Sequence, residues 1–147
     1  MSTVEEIMKS KPGTVFTITP GASVLDAARA MNDHHIGSLV VVDDCLTDKI
    51  VGIITERDIM TRVVAARKDP DHTTVAEAMT DRVLTCIGAT RTDELRQVMQ
   101  AKRIRHLPVV DQLGRLVGMV SIGDLNKQEV KILAETVLYL EQYSVRM

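Results

Sequence analysis

Apolar positions follow two rhythms along this chain. Val24, Ala27, Ala28 and Met31 fall at i, i+3, i+4 and i+7, the spacing of one helical face, behind a Ser23-x-x-Asp26 start signal. Short unbroken apolar runs at 39–42 and 50–54 have the length and the β-branched content of buried strands. Both rhythms then return. Leu95, Val98 and Met99 repeat the helical face behind Thr90-x-x-Asp93, and runs at 107–110 and 116–120 repeat the strands. Shorter strands are predicted at 15–17 and 83–86. Thr3-x-x-Glu6 and Thr74-x-x-Glu77 read as capping boxes that open short lead helices.

The recurrence extends to the residues themselves. Val4-Glu5-Glu6-Ile7-Met8 matches Val75-Ala76-Glu77-Ala78-Met79. The block that starts at Ile36 matches the one at Ile104, and the block at Val51 matches the one at Val117. Order is kept while the offset shrinks, as expected of insertions placed in turns. The chain is therefore an α/β (α+β) protein of tandem β-α-β-β-α units packed as a pseudo-twofold pair, with a C-terminal helix. Residues 1–68 form the first unit, 69–128 the second and 129–147 the tail. The polar stretch 65–74, containing Pro70, reads as the linker. In the tail, Val130, Leu133, Ala134, Val137 and Leu138 lie on one stripe. Such a helix either packs back on its own module or forms a homodimer contact, and the second is the expectation.

Composition removes several functions. Of 147 residues, three are aromatic (Phe16, Tyr139, Tyr143), too few for the stacking platforms of a single-stranded nucleic-acid binder. A net charge of −2 gives no basic footprint for nucleic acid. The acidic N-terminal residues do not resemble a signal peptide, and no apolar run is long enough to span a bilayer, so a cytoplasmic, soluble protein is expected. Cys45 and Cys86 lack ligand spacing. The neighbours His34 and His35 point about 100° apart on a helix, so no metal is expected. No base–nucleophile pair can be assembled, so no catalytic residue is assigned and the chain is read as a non-enzyme.

The ordered blocks, with an apolar-Gly-apolar-apolar-Thr/Ser-x-x-Asp signature in each copy, resemble the cystathionine-β-synthase (CBS) domain pair, or Bateman module, of the stand-alone bacterial type. The resemblance covers about residues 1–128. It implies regulatory binding of an adenine nucleotide, with AMP or NAD the expected ligand, in clefts between the repeats. It also implies output through a homodimer or an unknown protein partner.

Chemistry at these positions fits. Thr55-x-x-Asp58 and Ser121-x-x-Asp124 sit where a strand runs into a helix, whose unpaired N–H groups suit phosphate. The resemblance gives Asp58 and Asp124 the ribose hydroxyls and places Thr55 and Ser121 near phosphate. Arg105 and His106 replace Gly37 and Ser38 of the first copy and become the main phosphate partners, helped by Arg57. The base falls to Thr17, Ile18, Ala22, Ile36 and Gly37, and by symmetry to Thr85, Cys86, Thr90 and Ile104. Against this stands a plainer use of Ser/Thr-x-x-Asp, as a helix cap. A ligand-independent dimerisation scaffold remains the alternative function, with a nucleotide-acting enzyme behind it.

Overall fold

The computed structural model describes residues 2–11, 15–43 and 49–145. Cys45 and the turn residue Asp44 lie outside them. The elements are α1 (Val4–Lys9), β1 (Thr17–Ile18), α2 (Val24–His34), β2 (Ser38–Val42), β3 (Ile50–Thr55), α3 (Glu56–Ile59), α4 (Val75–Ala78), α5 (Thr92–Lys102), β4 (His106–Val110), β5 (Leu116–Ser121) and α6 (Ile122–Val145). A π-helical turn, Met60–Val64, continues α3. No helix among the described residues is long and apolar enough to cross a membrane.

Each half is built on a hairpin covered by helices. β2 is buried along its whole length, as its unbroken apolar run predicts. It pairs antiparallel with β3 and parallel with β1, the parallel connection being made by α2. β4 and β5 repeat the antiparallel hairpin. The predicted first strand, 15–17, forms two residues long at Thr17–Ile18. The strand predicted at 83–86 does not form. Cys86 alone makes a parallel bridge to Val109, its amide donating to Pro108 O at 3.0 Å. Pro108 has no N–H for a ladder, and the flanking Leu84 and Thr85 are exposed, so burial holds Cys86 alone.

Caps divide in the same way. Ser23 Oγ accepts from Asp26 N and Thr74 Oγ1 from Glu77 N. Thr3 makes no side-chain cap. The predicted start Thr90-x-x-Asp93 is not used: Arg91 is the N-cap, and Thr90 Oγ1 accepts from Ile87 N within the preceding turn. The stretch 65–74 connects the halves but is not loose. Pro70 O accepts from Leu25 N and Thr73 O from Val24 N, and Thr73 is buried.

The lead helices cross over. Val4 and Ile7 of α1 belong to the core with Cys86, Leu95, Met99, Leu107, Val109, Val120 and Leu125. Val75 and Ala78 of α4 belong to the core with Val24, Ala27, Met31, Leu39, Val41, Ile54 and Val63. Backbone bonds fix both crossings, Val4 N to Thr90 O at 2.9 Å and Val75 N to Ala22 O at 2.8 Å. Each sequence copy thus completes the core of the other.

α6 runs without a break from the second Ser/Thr-x-x-Asp motif into the tail. Its first turns pack: Leu125 is buried, and Arg96 of α5 binds Asn126 and Glu129. From Glu129 to Tyr143 every position is exposed, including Val130, Leu133, Val137, Leu138 and Leu140. The tail does not fold back on its own module.

Candidate functional site

Both Ser/Thr-x-x-Asp motifs form reciprocal caps. Asp58 N donates to Thr55 Oγ1 at 3.2 Å, and Thr55 N donates to Asp58 Oδ2 at 3.0 Å. Asp124 N donates to Ser121 Oγ at 3.1 Å, and Ser121 N to Asp124 Oδ2 at 2.9 Å. The plain structural use of the motif is therefore real in both halves. Additional backbone bonds seat the helix starts: Glu56 N donates to Gly37 O and Ile122 N to Arg105 O. The residues that distinguish the two copies thus sit directly over the first turn of α3 and of α6.

The crossed lead segments bring a second partner to each carboxylate. In the first half, Thr80 Oγ1 donates to Asp58 Oδ1 at 3.2 Å, and the carboxylate is buried. In the second half, Lys11 Nζ lies 2.7 Å from Asp124 Oδ2 and donates to Met119 O at 2.6 Å. Burial raises the Asp124 pKa, but the Lys11 ammonium and the Ser121 amide and hydroxyl outweigh it, so the carboxyl titrates below its ordinary range. The crossed segments thus bring a neutral hydroxyl to one carboxylate and an ammonium to the other, while Asp58 also has the Arg62 guanidinium of its own half at 4.0 Å.

Between the halves lies a cavity of about 350 Å³. Its walls include Phe16, Ile36, Gly37 and Ser38 from the first half, His106, Met119 and Ser121 from the second, and Lys11. Gly37 lies close to both halves: a Cβ there would stand 3.3 Å from Glu56 Oε1 and 3.6 Å from His106 Cε1. A second, outward-facing hollow of about 450 Å³ adjoins it through His35, Ile36 and Gly37. His106 has its pKa lowered, first by burial and then by Arg105 and Lys11, against the opposing pull of Glu56 and Asp124. It is a neutral hydrogen-bonding group at neutral pH, not the cation its sequence position suggests.

The cavity gathers Ile36, Gly37, His106 and Ser121 of the predicted site, with Asp124 held by its wall residue Lys11. It is not lined by Thr17, Ala22, Thr85, Thr90, Ile104, Arg57 or Arg105. Ile18, Ala22 and Ile104 pack against the two cores, while Thr17, Arg57, Thr85 and Arg105 are exposed. Cys86 is buried, with its thiol pushed up to about 11 by burial, so it stays protonated and unreactive. His34 stacks on Phe16 with ring centroids 3.7 Å apart, and among the described residues no group of three His, Cys, Asp or Glu could hold a metal ion.

Lys11 is the residue that sequence reasoning missed. A signal existed. The offset of 71 that aligns Met8 with Met79 also aligns Lys11 with Arg82, so a cation follows the lead helix in both copies.

Comparison with known proteins agrees with this geometry. The family model of the CBS domain matches twice, at residues 4–65 and 75–130. The chain is 34% identical over 148 residues to CBS domain-containing protein CBSX3, mitochondrial, of Arabidopsis thaliana, covering 97% of this chain and 71% of that protein. It is 36% identical over 120 residues to the uncharacterized protein MK0525 of Methanopyrus kandleri, covering 82% of this chain and 60% of that one. Among solved structures, a CBS-domain protein of Burkholderia ambifaria MC40-6, whose proposed role is signal transduction, superposes with a TM-score of 0.84 at 41% identity. That match covers 88% of this chain and 95% of the other. Two repeats, two crossed lead helices and two capped Ser/Thr-x-x-Asp motifs therefore describe a tandem CBS pair, and the chain belongs to the CBS-domain family.

Proposed function

We propose that the chain is a regulatory module that senses an adenine nucleotide between its two CBS repeats. The observation that carries this reading is the inter-repeat cavity, where Ile36 and Gly37 of one half face His106 and Ser121 of the other beside the Asp124 carboxylate. Apolar walls suit a base. Asp124 suits a sugar diol, because a carboxylate accepts from two hydroxyls at once. The Ser121 hydroxyl, at the positive end of α6, suits a phosphate. Asp58 and Thr55 offer the same chemistry in the first half, with Arg57 nearby in sequence. A ligand touching both halves biases their relative tilt, and that shift in population is the signal.

The output passes through a homodimer. Val130, Leu133, Val137 and Leu140 alternate at spacings of three and four along the exposed part of α6. Valine at the first and leucine at the fourth position of a heptad favours two paired helices, so the fitting occupant of this face is a second copy of the chain. A cyanobacterial CBS-CP12 protein of the same fold is hexameric, at 28% identity and a TM-score of 0.74, which supports self-association of this architecture.

Thermal melts of the full chain with AMP, ADP, ATP, NAD, NADH and S-adenosylmethionine test the sensing role. A ligand at 100 times its Kd adds about 2.7 kcal/mol, which is about 5–11 °C in a domain of this size. Asp124→Ala loses a cap and so lowers the baseline Tm. If Asp124 also binds ribose, the ligand-induced increment disappears as well. A flat panel, or an increment that survives in both Asp58→Ala and Asp124→Ala, overturns the reading and leaves a ligand-independent scaffold.

A further inference from the structure

Lys11 occupies a position that a purely structural ion pair does not need. It lies two residues beyond α1, so it reaches the second half only because the lead helices cross. Its side chain is 30% exposed and that of Asp124 16% exposed, so the pair sits at the cavity wall rather than in a core. Its ammonium also holds the Met119 carbonyl on β5. The equivalent place in the first half is taken by Thr80, a neutral donor, with the Arg62 guanidinium farther off at 4.0 Å from the same Asp58 oxygen.

A sugar diol that grips Asp124 through both carboxylate oxygens competes with Lys11 for Oδ2, which Lys11 shares with the Ser121 amide. Removing that partner leaves a half-buried ammonium with one carbonyl and no counter-charge. A ligand that brings its own anion repairs this; an uncharged ligand does not. The neutral state of His106 sharpens the effect, since it adds no competing cation inside the cavity.

We propose that Lys11 makes the second-half site selective for anionic nucleotides over uncharged nucleosides: the sugar takes Asp124, and the displaced ammonium takes a phosphate. This rests on the nucleotide-sensing reading and adds to it the group that discriminates by charge. In the first half Thr80 stands where Lys11 does, and the cation near Asp58 is Arg62, 4.0 Å away on a half-exposed side chain, so the two sites differ in how closely a cation is held.

The test is calorimetric titration of the full chain with AMP and with adenosine, for the wild type, Lys11→Met, Lys11→Gln and Lys11→Arg. Wild type prefers AMP. In Lys11→Met and Lys11→Gln the AMP-to-adenosine affinity ratio falls about tenfold, the size of one charge-assisted contact. Adenosine itself binds more tightly than to wild type, because no ion pair has to be broken. Lys11→Arg keeps the charge and keeps the preference. A ratio unchanged in both neutral variants overturns the role of Lys11 while leaving nucleotide sensing intact. If the wild type binds neither compound, this inference falls, while the sensing reading is decided by the thermal-melt panel of all six ligands.

Discussion

The crossed lead helices make unequal demands on two glycines that are equivalent in sequence, and this can be measured. Gly52 on β3 and Gly118 on β5 occupy the same place in the two signatures, and neither has a positive φ, so alanine is excluded at neither by backbone conformation. Space decides. At Gly118 an added Cβ meets Met8 Cε and lies 3.3 Å from Met8 Sδ and 3.7 Å from Val109 Cβ. The crowding there comes from the end of a flexible thioether, which can rotate away. At Gly52 the Cβ stands 2.5 Å from Met79 Sδ, 3.1 Å from Met79 Cγ and 3.0 Å from the Thr80 carbonyl oxygen. That carbonyl is fixed, because Thr80 and Ile53 exchange two backbone bonds at 2.8 and 2.9 Å. Overpacking against an immovable neighbour costs about 1–3 kcal/mol. Restricting the unfolded chain with alanine returns about 0.4–1 kcal/mol. Gly52→Ala should therefore lose about 1–2 kcal/mol, or about 2–8 °C in Tm at this chain length, while Gly118→Ala stays within about 1 kcal/mol of wild type. Urea denaturation followed by circular dichroism gives both values. Adding Met79→Ala to Gly52→Ala should show coupling of at least about 0.5 kcal/mol, since the two residues touch. Equal stability of the two alanine variants would refute the crossing as the reason for these glycines.

Two other outcomes follow from the site and the arm. His106 has a folded pKa below its unfolded value of about 6.5, so the unfolded chain binds the proton first. Stability is full above that value and is lost as pH falls through the folded pKa. Denaturation midpoints between pH 7 and 5 should fall more steeply for wild type than for His106→Gln, and parallel profiles would contradict the burial of the ring. On α6, Leu133→Glu with Leu140→Glu should convert a dimer to a monomer by light scattering at micromolar concentration, without unfolding the CBS pair. A wild-type monomer would show that the arm has another use.

Much of the fold was legible because local chemistry and tertiary packing agree at most positions. The β2 run, the α2 face and the Ser23 cap require only their own residues. Legibility failed where a distant segment decides. Residues 83–86 have strand-like character, yet the Pro108 position offers no N–H, so one bridge forms in place of a strand. Thr90-x-x-Asp93 satisfies the capping pattern, yet the turn from Ile87 claims the Thr90 hydroxyl first. The lead helices carry apolar faces that fit either half, and nothing in a linear pattern reveals that each serves the other. At the candidate site the same limit applies: Ser121 and His106 are motif residues, whereas Lys11 matters only through a fold that brings it 113 positions along the chain to Asp124.

The crossing also explains why a duplicated sequence can yield two different sites. Duplication alone produces equivalent halves, and the capped Thr55–Asp58 and Ser121–Asp124 pairs are nearly so. What differs is the residue each lead segment delivers to the opposite carboxylate, a hydroxyl from Thr80 or an ammonium from Lys11. Because α1 and α4 are anchored in the cores they cross into, displacing either donor pulls on a helix that completes the other half's packing. On the proposed reading, a ligand that displaces either donor would therefore act on both repeats at once. From the second, that action would continue along α6, which begins at the Ser121 cap and carries the exposed heptad face at its far end. A ligand that rearranges the Lys11–Asp124 pair acts at the first turn of the same rigid element that would meet a second copy of the chain.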